Sequence, residues 1–92
     1  MKATLDISYY PLNDNYRSQI IEFIQTVKEN YPLLTFDING LSTQIFGDYD
    51  LIIKIFQEEI KTSLEKGKCM FVIKLAPFER KRENLPKELQ DA

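Results

Sequence analysis

The spacing of apolar residues constrains this chain more than any other feature, because it switches repeatedly between two periodicities. Apolar and polar residues alternate within residues 3–10, 33–38, 41–46 and 69–76, as is typical of half-buried β-strands. Between the first and second segments, and again between the third and fourth, apolar residues recur at the spacing of amphipathic helices. The order βαββαβ folds most simply as an α+β ferredoxin-like sandwich, a four-stranded antiparallel sheet with two helices on one face.

Both predicted helices have recognisable ends. The first follows capping candidates at residues 13–15 and stops at Pro32, and its apolar stripe comprises Tyr16, Ile20, Phe23, Ile24, Val27 and Tyr31. The second begins after the N-cap Asp48, with Gly47 as a turn residue, and ends at Gly67. Its predicted buried stripe comprises Ile52, Ile55, Phe56, Ile60 and Leu64.

The second and third strands are predicted to form a tight hairpin around Asn39 and Gly40. Asn-Gly suits the positive φ angles of a type I′ turn, which would pair Ile38 with Leu41. In that register the polar face has Asp37 opposite Ser42 and Thr35 opposite Gln44.

One face of the sheet is expected to remain uncovered by the helices, and we call it the open face. Strand alternation assigns to it Thr4, Asp6, Ser8, Tyr10, Thr35, Asp37, Ser42, Gln44, Met70, Val72 and Lys74. Tyr9 and Thr43 fall on the opposite, helix-covered face. We therefore expect Tyr9 in the core and a structural role for Thr43.

Length and charge exclude several classes of protein. The 92 residues suffice for one domain, predicted over residues 1–77, followed by a charged tail over residues 78–92. A net charge of −2 argues against a nucleic-acid partner, and no apolar run is long enough to insert into a membrane. The lone Cys69 and the absence of a signal-like start favour a reducing, cytoplasmic location.

The chain contains no histidine, the usual general base and the commonest metal ligand. We therefore expect no enzyme activity, no metal and no cofactor. An acylphosphatase-like activity is disfavoured because the first loop, PLNDNYR, has no glycine-rich phosphate cradle. RNA recognition is weaker still, because the third strand lacks a repeated pattern of aromatic residues for stacking.

Two motifs resemble the YkoF-like family that binds thiamine and hydroxymethylpyrimidine. The first strand ends in S-x-Y-P-L, formed by Ser8, Tyr10, Pro11 and Leu12. The S-T-x-x-x-G-D pattern of the third strand is formed by Ser42, Thr43, Gly47 and Asp48. The resemblance spans roughly residues 3–76. It implies non-catalytic binding of thiamine or its hydroxymethylpyrimidine moiety, in salvage or uptake.

An aminopyrimidine needs a carboxylate or carbonyl for its amine, hydroxyl or amide groups for its ring nitrogens, and an aromatic ring for stacking. The open face and the two motifs together give the candidate ligand residues Asp6, Ser8, Tyr10, Asp37, Ser42, Thr43, Gln44 and Lys74. The competing interpretation is a solvated polar face on which Asp6 pairs with Lys74 across neighbouring strands.

The family resemblance also bears on assembly. YkoF resembles two such domains in tandem, whereas this chain has one, so we expect a homodimer or higher homo-oligomer. Met70 and Val72 are apolar residues on an otherwise polar face. They support an alternative function, an oligomerising structural or regulatory module whose open face packs on a copy of itself.

Overall fold

A computed structural model describes residues 1–78 and residue 86. Its strands are β1 (Lys2–Pro11), β2 (Thr35–Ile38), β3 (Thr43–Asp48) and β4 (Cys69–Ala76). The first helix is α1 (Tyr16–Asn30). The second helix is continuous and comprises α2 (Tyr49–Lys54), a π-helical stretch (Ile55–Ile60) and α3 (Lys61–Lys66). The predicted βαββαβ order is confirmed.

The strands form one antiparallel sheet in the order β2-β3-β1-β4. This is the α+β ferredoxin-like arrangement predicted from the sequence. β1 is central and longer than β3: it pairs with β3 only as far as Ile7–Thr43, but with β4 as far as Pro11–Cys69. The last residues of β1 therefore have a strand on one side only.

Two hydrogen bonds beyond the strand ends fix the direction in which each main-chain group of β1 points. Leu12 N–H donates to the Lys68 carbonyl at 3.0 Å, and Tyr49 N–H donates to the Met1 carbonyl at 2.8 Å. In an antiparallel ladder these directions alternate residue by residue. Even-numbered residues of β1 therefore face β4, and odd-numbered residues face β3. Pro11, which has no N–H, occupies an odd position beyond the end of β3, so it breaks no ladder bond.

The core lies between the sheet and the helices. Residues of β1 that alternate towards the helices, Ala3, Leu5 and Ile7, are buried, as are Phe23 and Val27 of α1. Tyr9 completes this row and stacks on Phe71, with ring centroids 4.6 Å apart and planes 6° apart. Tyr9 is partly buried and packs against this core, in agreement with its predicted face, and Thr43 is buried on the helix-covered face to which strand alternation assigns it.

The β2–β3 hairpin differs from the predicted type I′ turn. Ile38 pairs with Thr43 rather than with Leu41, so the register is displaced by two residues, which leaves the facing of every side chain unchanged. No residue of the described loop has a positive φ. The Asn39 side chain instead accepts hydrogen bonds from the N–H groups of Leu41 and Ser42, at 2.8 and 3.1 Å, and this Asx-type contact moves the turn one residue along the chain.

The second helix starts as predicted, because the Asp48 carboxylate accepts a hydrogen bond from Asp50 N–H at 3.2 Å. Its π-helical stretch places residues five apart on one face, and Ile55 and Ile60 are both buried. The prediction for Leu64 is wrong: its side chain is exposed, and Ser63 is the buried residue of that turn. The π-helical stretch rotates the residues that follow it relative to a regular α-helix. The α-helical spacing therefore no longer predicts which of them are buried.

The open face is covered at one end. Thr4 and Phe46, which belong to that face by strand alternation, are nevertheless buried. The Thr4 hydroxyl donates to the Phe78 carbonyl at 2.7 Å, so the chain after β4 returns to this corner of the sheet. The remainder of the predicted charged tail, residues 79–85 and 87–92, lies outside the described residues. Within the described ones, no helix has the length and hydropathy needed to cross a bilayer.

Candidate functional site

A cavity of about 270 Å³ opens at the end of the sheet where β1 extends beyond β3. Its floor is the end of β1, residues 7–10. One wall is the start of α1, with Tyr16, Ile20 and Ile24, and the other is the hairpin loop, residues 39–43. We call this space the strand-end cavity. Its walls combine aromatic and aliphatic side chains with a few hydroxyl groups, as small-molecule sites generally do.

The strand-end cavity exists because β1 and β3 differ in length. Tyr9 is an odd-numbered residue of β1, so its N–H and C=O point to the side of β3, where pairing has already ended at Ile7–Thr43. Tyr9 is also one of the residues that line the cavity. The N–H and C=O of Tyr9 therefore provide a hydrogen-bond donor and an acceptor side by side at the cavity. In a longer β3, these two groups would have bonded to the neighbouring strand.

Side-chain hydroxyls add to this polar edge. Ser8 Oγ donates to the Leu41 carbonyl at 3.0 Å, and this bond ties β1 to the hairpin loop across the cavity. Ser42 and Thr43 continue the lining on the β3 side. The Ser8 oxygen retains acceptor capacity while it donates to Leu41.

The cavity brings together half of the predicted ligand residues: Ser8, Tyr10, Ser42 and Thr43. The other half forms a separate feature, which we call the polar row. The strand registers place Asp37 beside Gln44, Gln44 beside Asp6, and Asp6 beside Lys74, in one line across all four strands. The polar row runs next to the cavity, because Asp6 and Ser8 are consecutive open-face residues of β1.

The ion pair between Asp6 and Lys74 that the competing interpretation requires does not form, although the two residues are directly opposite. Among the described residues the ion pairs are Lys66–Glu22 and the N-terminal amine with Asp48. Asp6 Oδ1 is buried and has no hydrogen-bond partner. A buried carboxylate oxygen without a hydrogen-bond partner destabilises the fold locally.

Sequence reasoning missed the contribution of α1 to the site. Tyr16 was assigned to the buried stripe, but its side chain is 56% exposed and lines the cavity with Ile20 and Ile24. The available signal was its position in the first turn of the helix, at the end of the stripe. The main chain of Tyr9 was missed because no side-chain pattern reports where a neighbouring strand stops.

A second, smaller cavity of about 80 Å³ lies between the two helices. Its lining includes Glu22 and Lys66, which form an ion pair at 3.6 Å, and Ser63. Burial raises the pKa of Tyr9, whose ring also borders this space. The volume is less than a third of that of the strand-end cavity, which is therefore the roomier of the two. No group of acidic and cysteine side chains able to hold a metal occurs within the described part of the chain.

Solved structures of the same fold occur among proteins with little sequence similarity to this chain. A protein from Streptococcus pneumoniae superposes with a TM-score of 0.70 at 18% identity, covering 86% of this chain and 89% of its own. A Thermotoga maritima protein with a proposed role in thiamine biosynthesis or salvage superposes with a TM-score of 0.69 at 14% identity, covering 96% and 92%. A domain of unknown function, DUF77, from Bacillus cereus gives 0.69 at 14%, covering 92% and 88%. No protein-family model matches the chain, and no curated protein matches it in sequence.

Proposed function

We propose that this protein binds thiamine or its hydroxymethylpyrimidine moiety without catalysis, in the salvage or uptake of thiamine in the cytoplasm. The observation that carries the proposal is the strand-end cavity, where aromatic walls surround the unpaired main-chain N–H and C=O of Tyr9. The Thermotoga maritima protein of the same fold, with its proposed role in thiamine biosynthesis or salvage, adds support.

The chemistry of an aminopyrimidine matches the groups in this cavity. Its exocyclic amine is a donor adjacent to a ring-nitrogen acceptor, and Tyr9 C=O and N–H form the complementary pair. The ring of Tyr10 or Tyr16 offers a surface for stacking, and the Ser42 hydroxyl can donate to the remaining ring nitrogen. Asp6 precedes Ser8 by two residues on β1, so the Cα atoms of the two residues are about 7 Å apart. From this position the Asp6 carboxylate would attract the thiazolium cation of thiamine.

Calorimetric titration with hydroxymethylpyrimidine, thiamine and the thiamine phosphates tests the proposal. Tyr10→Ala and Ser42→Ala should each weaken binding by roughly three- to tenfold, since each removes a stacking surface or a hydrogen bond worth about 0.5–1.5 kcal/mol. The matched control is Asp37→Asn, an exposed member of the polar row outside the cavity, which should leave the affinity unchanged. Absence of heat for every ligand would overturn the proposal.

The second candidate is an oligomerising module without a ligand, and Met70 and Val72 favour it because both are exposed on the open face. Self-association is also part of the leading proposal, in which the protein is at least a homodimer. Sedimentation velocity tests this feature, and a monomer at high micromolar concentration would contradict it. A dimer that binds none of the thiamine compounds would favour the second candidate.

A further inference from the structure

Within the described residues, the outer edge of β4 presents a row of main-chain groups that have no hydrogen-bond partner. The hydrogen bond from Leu12 N–H to the Lys68 carbonyl sets the phase of the β1–β4 ladder, so the even-numbered residues of β4 bond to β1. The odd-numbered residues, Cys69, Phe71, Ile73 and Leu75, therefore direct their N–H and C=O outwards. No described residue bonds to that edge.

β4 lacks the features that usually protect an edge strand. It pairs with β1 without a bulge over its full length from Cys69 to Ala76, it contains no proline, and Lys74 is its one charged residue. The other edge strand, β2, has only four residues, so it is a much shorter template. An open edge as regular as that of β4 is suited to pairing with another strand.

We infer that β4 pairs antiparallel with β4 of a second copy, which joins the two sheets into one. Outward groups meet outward groups only when odd-numbered residues oppose odd-numbered residues. Lys68 continues the ladder with β1, because its carbonyl accepts from Leu12 N–H. When Lys68 is counted with β4, the register with the longest overlap puts the two-fold axis between the two copies of Val72, with Phe71 opposite the partner's Ile73 and Met70 opposite the partner's Lys74. Displacing it by two residues either shortens the overlap or brings Lys74 opposite the partner's Lys68.

The side chains of β4 favour this occupant over an unrelated peptide. Phe71 and Ile73 are only half-buried, and Leu75 is 44% exposed although it belongs to the helix-covered face. In the inferred register, Phe71 and Ile73 of the two copies pair side by side on that face, which extends the apolar layer across the axis. No like charges become directly opposite. The β4 edge is thus complementary to the β4 edge of a second copy.

This inference rests on the proposed self-association and names its interface, and it is independent of the proposed ligand. A monomer in sedimentation would overturn both statements. A dimer that is joined through another surface would overturn only the assignment to β4.

Cysteine cross-linking tests the register. In a Cys69→Ser background, Val72→Cys should form a disulfide-linked dimer on mild oxidation, because a residue opposite itself in a non-hydrogen-bonded pair has its Cβ atoms about 5 Å apart. Thr35→Cys, which is also exposed on the same sheet face but lies on β2, is the matched control and should remain monomeric on non-reducing gels. Equal cross-linking at both positions, or none at Val72→Cys in a protein that still sediments as a dimer, would overturn the inference.

A proline substitution tests the edge itself. Leu75→Pro removes an outward N–H and breaks no bond to β1, so the fold should persist while the dimer dissociation constant rises roughly fivefold or more. Lys74→Pro is the control, because the N–H of Lys74 points towards β1 and not outwards. Its removal breaks a hydrogen bond to β1 and should lower the melting temperature. Because the side chain of Leu75 faces away from the open face, a dimer built on the open face would be insensitive to Leu75→Pro. That insensitivity would also overturn the inference.

Discussion

At the residue scale, Gly47 is required by both backbone and space. Its φ of +156° is one that side-chain-bearing residues rarely adopt, and a Cβ placed there would overlap with Leu34 Cδ2. Leu34 is itself buried in the core, so its side chain has little room to move. Gly47 thus lies within β3 as a point of close packing, rather than in a turn before the helix.

We expect Gly47→Ala to lower the free energy of unfolding by about 1–3 kcal/mol, through overpacking and backbone strain. Urea denaturation measures this. Gly40→Ala is the matched control, because a Cβ at Gly40 would meet no atom within 4 Å, and it should change stability by less than about 0.5 kcal/mol. Equal effects at the two glycines would contradict the packing argument.

Tyr31 joins the end of α1 to the π-helical stretch. Its hydroxyl donates to Glu58 Oε2 at 2.9 Å, and burial together with this hydrogen bond raises the pKa of Tyr31 well above its ordinary value. The folded state therefore keeps the phenol proton at a pH where the unfolded chain releases it. The resulting stabilisation is complete below about pH 10 and is lost as the pH rises above that value.

We expect the free energy of unfolding to fall as the pH rises above about 10, because burial raises the pKa of both Tyr31 and Tyr9 in the folded state. Tyr31→Phe should cost about 0.5–1.5 kcal/mol at neutral pH and make the alkaline slope shallower. Denaturation curves between pH 8 and about 11 would show this. An unchanged slope in Tyr31→Phe would show that the raised pKa of Tyr31 does not contribute.

At the scale of elements, the start of the second helix depends on Asp48. Its carboxylate caps Asp50 N–H and also lies 3.7 Å from the N-terminal amine, a half-exposed ion pair of small value. Asp48→Ala should lower the free energy of unfolding by about 0.5–2 kcal/mol. Asp48→Asn keeps a capping oxygen but loses the charge, so thermal denaturation should place it close to the unsubstituted protein. A similar loss in both variants would assign the stabilisation to charge rather than to the cap.

The elements were predictable from the sequence because each has a periodicity of its own. Alternation in β1 and β4 identified both faces of the sheet, and Asp48 identified the helix start. The hairpin register was not predictable, because the Asn39 side chain competes with the main chain for the N–H groups of Leu41 and Ser42. Leu64 was misassigned because the spacing of side chains in the sequence does not reveal the π-helical stretch. That stretch changes which residues after it face the core.

Half of the candidate site was predictable for the same reason. Ser8, Tyr10, Ser42 and Thr43 follow from strand alternation and the two motifs, and they line one cavity. The cavity itself depends on β1 extending past β3, which is a property of two strands and cannot be read from either alone. Likewise, the register places Asp6 opposite Lys74, yet the carboxylate stays unpaired.

At the scale of the whole molecule, the strand-end cavity and the β4 edge are separate features. The residues that line the cavity belong to β1, α1, the hairpin loop and the start of β3, and none belongs to β4. One copy of the chain thus supplies every group that the proposed ligand needs. Assembly through β4 would leave the cavity walls as they are.

It follows that ligand affinity should be independent of the monomer–dimer equilibrium. If binding and dimerisation are not coupled, linkage requires the ligand dissociation constant to be the same on both sides of the dimer dissociation constant. Titrations at protein concentrations well below and well above that value should agree, and Leu75→Pro should bind with the affinity of the unsubstituted protein. The comparison variant is Tyr10→Ala, which should bind more weakly at every concentration. An affinity that rises with protein concentration would show that the second copy completes the site, and would move the ligand from the strand-end cavity to a boundary between subunits.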